Sequence, residues 1–129
     1  MSMTKKIYYN KVIRDKVAEK MKRNGVKFLA KTLSQKAFEK ALIPKVAEEA
    51  SGVVNAKNRT ELIQELTDLL VVIDEVKRVK KISPAELKKT RRENMAKKGG
   101  FSKKLWLVWS EDTGYKTNEK AERLRKTTF

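Results

Sequence analysis

The sequence predicts a mainly α protein of about four helices with one small β-hairpin. Apolar residues recur at helical spacing over several separate stretches, and explicit helix start and stop signals bracket them. Two short segments, 26–33 and 101–109, instead alternate in the manner of half-buried strands. A chain of 129 residues has room for one domain. That domain is expected over residues 1–109, followed by a basic C-terminal appendage over 110–129.

The first helix is expected from Asn10 to Arg23, where Val12, Ile13, Val17 and Met21 share a face and Asn24-Gly25 supplies a left-handed stop. Val26 to Leu33 reads as a strand ending at Ser34, the N-cap of a second helix from about Gln35 to Asn55. Phe38, Leu42, Val46 and Val53 form its stripe with Glu49 in the middle, and Pro44 predicts a kink or break near Leu42 to Ile43. Thr60 is taken as the cap of a third helix reaching about Lys80, buried along Leu62, Leu66, Leu69, Ile73 and Val76. Ser83-Pro84-Ala85-Glu86 joins a capping box to a proline at the first helical position, opening a fourth helix that stops near Gly99-Gly100. Phe101 to Trp109 is the second strand, paired with Val26 to Leu33. In the appendage a short helix is expected near Asn118 to Lys126.

The chain contains neither cysteine nor histidine, which removes disulfides, zinc–thiolate sites, imidazole bases and covalent Cys or His chemistry. Any metal must then be held by oxygen, which selects a hard cation such as Mg2+, or Mn2+. The N-terminus lacks the apolar core of a signal peptide and the run Leu69 to Ile73 is far too short to span a bilayer, so the cytoplasm is the expected compartment and no membrane partner is expected. A net charge of +16 gathers polyanions at low salt, nucleotides and non-specific nucleic acid among them. The basic residues are spread through every segment, so the charge alone does not locate a binding face.

Acids with a pattern of their own lie on two helices. Glu65 and Asp68 are three apart and share one helix face, where they can converge on a cation, and Glu61 extends the same edge. Glu48 and Glu49 lie on the preceding helix, and a carboxylate at Glu49 inside an apolar stripe is costly unless a cation compensates it. By spacing alone a set of solvated acids that balance a basic chain is the better reading, and the metal reading needs more than spacing. Lys11, Arg14 and Lys16, with Asp15 among them, occupy about one and a half helical turns and can clamp phosphate oxygens. The alternative is a solvated basic helix whose Asp15 makes local ion pairs. Lys97 and Lys98 can add charge to a phosphate site or complement the dipole of the helix they end. Phe101, Trp106 and Trp109 suit core positions of a strand better than a base-stacking platform.

The segments Tyr9 to Lys16, Lys45 to Ala56, Glu61 to Asp74 and Gly99-Gly100-Phe101 follow the order seen in MazG-like nucleoside-triphosphate pyrophosphohydrolases, and the chain resembles the phosphoribosyl-ATP pyrophosphohydrolase branch of that family from about Tyr9 to Val108. In the family, a Glu-Glu-x-x-Glu motif on one helix and Glu-x-x-Asp on the next hold Mg2+, which carries the triphosphate. The resemblance implies Glu49, Glu65 and Asp68 as metal ligands, with Glu48 as the catalytic base or orienter. It also implies Lys11, Arg14, Asp15 and Lys16, with Lys97 and Lys98, as substrate-binding residues. The last glutamate of the first motif is replaced by Gly52. On this reading the shell lacks one ligand, hydrolysis is weakened, and Gly52→Glu should restore it. Relatives often dimerise, so the resemblance allows a homodimer without requiring one. The resulting expectation is Mg2+-dependent hydrolysis of a nucleoside triphosphate, or a related nucleotide, to monophosphate and pyrophosphate. The competing expectation is an impaired scaffold of the same fold that binds nucleic acid or nucleotide through its basic surface.

Overall fold

The structure is a computed structural model that describes residues 5–116 and 118. It is mainly helical, with α1 Asp15–Arg23, α2 Gln35–Val54, α3 Arg59–Val79 and α4 Pro84–Lys98. The chain divides into two compact units, Met1–Arg92 and Glu93–Phe129, with the boundary inside α4. Among the described residues, α2 and α3 are the pair of helices packed against each other, with Leu42 and Val72 buried between solvent-exposed flanks. No helix among those residues is long and apolar enough to cross a membrane.

Each helix end has a local cause. Gly25 takes the left-handed conformation, φ +69°, and the amide of Val26 donates to the Met21 carbonyl, which closes α1 as its Asn-Gly stop requires. Ser34 Oγ accepts from the Ala37 amide at 3.2 Å and caps α2. Ser83 and Glu86 form the expected reciprocal box on α4, with the Glu86 amide donating to Ser83 Oγ and the Ser83 amide to Glu86 Oε2. Gly99, φ +72°, follows the last residue of that helix.

Several expectations are corrected. Asn10 has φ +47° and residues 11–14 are not helical, so α1 begins at Asp15 rather than Asn10. The cap of α3 is Asn58, whose Oδ1 accepts from the Glu61 amide at 2.9 Å, and not Thr60, which lies inside the helix. Helix α2 runs unbroken through Pro44, an exposed position, so the break expected near Leu42 to Ile43 does not occur.

The β-hairpin is absent: no strand occurs among the described residues. Leu105 and Leu107 are as exposed as their neighbour Val108, so the alternation in 101–109 does not separate a buried face from a wet one. Leu29 is almost fully exposed in 26–33. The expected helix at Asn118 to Lys126 lies, Asn118 apart, outside the described residues.

Candidate metal centre

On α2, Lys45, Glu48, Glu49 and Gly52 are three or four residues apart and so lie along the side that meets α3. On α3, Glu65 and Asp68 lie one turn apart on the side facing back, next to the turn that carries Val72. Pairing the two helices brings one carboxylate oxygen from each of Glu49, Glu65 and Asp68 within 4.8 Å of one another, with all three residues half-buried. Oxygens on a common Mg2+ stand at most about 4.2 Å apart, twice a metal–oxygen bond of about 2.1 Å, so small side-chain rotations close the set around one ion. An all-oxygen donor set of this kind suits a hard cation.

Cations surround the cluster. Lys45 is the one buried charged residue among those described, only 9% exposed, and its Nζ bridges Glu48 Oε2 at 2.8 Å and Glu49 Oε1 at 3.3 Å. From the segment before α1, Lys11 Nζ reaches Glu48 Oε1 at 2.7 Å and Arg14 Nη1 reaches Asp68 Oδ1 at 3.5 Å. Lys11 also lies over the Tyr9 ring, 5.4 Å from its centre, which restrains the ammonium.

Glu48 feels opposing effects. Burial pushes its carboxyl up, but hydrogen bonds from Lys11 and Lys45 outweigh that and hold it below the ordinary carboxylate value. Its bond to Glu48 likewise raises the Lys11 ammonium above the usual lysine value. Glu65 is different. Among the described residues its carboxylate makes no ion pair or hydrogen bond, so three cations serve Glu48, Glu49 and Asp68 while Glu65 has none. Its oxygen instead lies against the backbone of Gly52, where an added Cβ would stand 2.2 Å from Glu65 Oε2.

The structure therefore brings together Glu48, Glu49, Glu65 and Asp68 with Lys11 and Arg14. Asp15 and Lys16 are exposed in the first turn of α1, and neither side chain has a hydrogen bond or ion pair among the described residues. Lys97 and Lys98 close α4 in the second compact unit, whereas the acidic cluster is built within the first. Glu61 serves the α3 cap, accepting from the Lys57 amide and Asn58 Nδ2, and does not extend the acidic edge. Sequence reasoning missed Lys45, although its spacing of three and four from Glu48 and Glu49 is the signature of helix ion pairs. The space beside Gly52, where the family motif has its last glutamate, is taken by the Glu65 carboxylate.

With this geometry in hand, comparison with known proteins adds no relative: no protein-family model, no curated protein and no solved structure matches the chain.

Proposed function

We propose that this chain is a nucleotide pyrophosphohydrolase of the MazG-like kind, dependent on Mg2+ or Mn2+, that converts a nucleoside triphosphate or related nucleotide to monophosphate and pyrophosphate. The observation that carries the reading is the convergence of Glu49, Glu65 and Asp68 from two helices, beside the cations Lys11 and Arg14. When bound, the metal ion would neutralise phosphate oxygens and lower the pKa of a coordinated water.

Glu49, Glu65 and Asp68 would hold the ion. Glu48, a weakened base because two ammonium groups stabilise its anion, orients Lys11 and Lys45 rather than abstracting a proton. Arg14 holds Asp68 through a single 3.5 Å contact and can exchange it for a phosphate oxygen, while Lys11 takes a second one. Asp15 and Lys16, exposed in the first turn of α1 just after Arg14, would join them as substrate-binding residues. The compartment that goes with this reading is the cytoplasm.

A homodimer belongs to the same reading. Leu62, Ile63, Leu66, Leu70 and Ile73 of α3 are all exposed and lie within an arc of about 100° adjoining the side that packs on α2. A second copy covering that arc would give the helix pair the further layer that helices of this composition need.

The net charge of +16 favours a second reading, a scaffold that binds nucleotides or nucleic acid without hydrolysing them. Pyrophosphate release over a panel of nucleoside triphosphates, measured against Mg2+ and against KCl, separates the two. The enzyme reading requires release that saturates with Mg2+. Binding that collapses with salt and releases no pyrophosphate at any Mg2+ concentration selects the scaffold.

A further inference from the structure

We infer that Gly52 is a positioning residue: its missing side chain is the seat that holds the Glu65 carboxylate in the acidic cluster. The inference rests on the metal-binding reading for its consequence and on geometry alone for its cause. Glycine inside a helix is unfavourable, and Gly52 lies two residues before the end of α2, within the helix proper. Its φ is not in the left-handed region, so no backbone conformation calls for glycine there.

What calls for it is the neighbour. A Cβ at position 52 would lie 2.2 Å from Glu65 Oε2, 2.8 Å from Glu65 Cδ and 3.4 Å from Glu65 Oε1, and no other atom stands closer to it. All of these contacts are to one carboxylate, the one that lacks a cationic partner among the described residues and supplies a corner of the three-residue cluster. Any side chain at 52 must therefore displace the end of Glu65. The end of a glutamate can move, so the fold survives the displacement at a measurable cost in stability while the site loses a corner.

The same contact reverses the expectation for Gly52→Glu. That change brings a new carboxylate to α2 while expelling the one from α3, so it cannot simply add a ligand. Glu65, already one of the three acids of the cluster, reaches across and occupies the place itself.

The test is a cycle of wild type, Gly52→Ala, Glu65→Ala and the double variant, read by thermal unfolding without metal and by Mn2+ titration calorimetry. Alanine at 52 is expected to raise the unfolding temperature by more in the Glu65→Ala background than in wild type, because only wild type has a carboxylate to expel. Gly52→Ala alone is expected to weaken Mn2+ binding at least tenfold, with no further loss when it is added to Glu65→Ala. Equal thermal increments in the two backgrounds would overturn the inference whether or not metal binds. Wild-type affinity in Gly52→Ala would overturn it as well. If wild type itself binds no Mn2+, the metal reading fails, and the thermal cycle still decides whether Gly52 seats Glu65.

Discussion

A lysine ammonium held between two glutamates fixes the acids of α2. Lys45 is only 9% exposed, and its removal strands Glu48 and Glu49 in a half-buried position with less compensation. Lys45→Met keeps the length of the stem and deletes the charge, and is expected to cost about 1–3 kcal/mol in urea unfolding at neutral pH. The acid side provides an independent check. Because the Glu48 carboxyl is held below its ordinary value, its contribution is present above the unfolded carboxylate pKa and is lost as pH falls through the folded one. Removing Lys45 takes away one of the donors, so the loss of stability between neutral and acid pH should shrink in the variant. An unchanged acid profile would mean that Lys45 does not stabilise the Glu48 anion. At this scale the acids were legible, since a three-residue step on a helix places Glu65 and Asp68 on one face whatever the partner. The seat at Gly52 was not, because glycine records only the absence of a side chain and the atom that fills the space comes from another helix.

Helix ends were legible where the capping chemistry was unambiguous. Ser34 and the Ser83–Glu86 box behave as their spacing requires. At α3 the cap is Asn58 and not Thr60: Asn58 Oδ1 accepts from the Glu61 amide while its Nδ2 donates to the Glu61 carboxylate. Asn58→Ala is therefore expected to cost about 1 kcal/mol, and Thr60→Ala to stay within about 0.5 kcal/mol of wild type. Chemical unfolding of both variants measures the difference, and a larger cost at Thr60 would reverse the assignment. The hairpin failed for a different reason. Alternation in 101–109 describes residues that suit a strand, but a strand also needs a face to bury and a neighbour to pair with, and there both alternating sets are exposed. At Pro44 the helix does not break, since one missing donor at an exposed position of a long helix is tolerated when the rest of the helix packs.

For the molecule as a whole, the mainly α class follows from periodicity, whereas the covering of the helix pair does not. The apolar arc on α3 is as hydrophobic as a core stripe and yet exposed, with Leu70 at 59%. If a second copy covers it, sedimentation should show a dimer that Leu70→Glu converts to monomer, because the carboxylate would be buried unpaired at the interface. A wild-type chain that sediments as a monomer at high micromolar concentration would leave the arc uncovered and remove the dimer from the proposal. The charge of +16 makes every anion-binding result depend on salt, so it cannot by itself identify a site. The cluster of Glu49, Glu65 and Asp68 gives a sharper test, since a cation held there would bind locally and with fixed stoichiometry. The most direct measurement is a Mn2+ titration followed by electron paramagnetic resonance at 150 mM KCl, in wild type and in the Glu65→Gln, Asp68→Asn double variant. One ion bound per chain in wild type, with affinity lowered at least a hundredfold in a variant that stays folded, is the result expected. Equal binding by both proteins, or none by wild type, would contradict a metal centre at these residues.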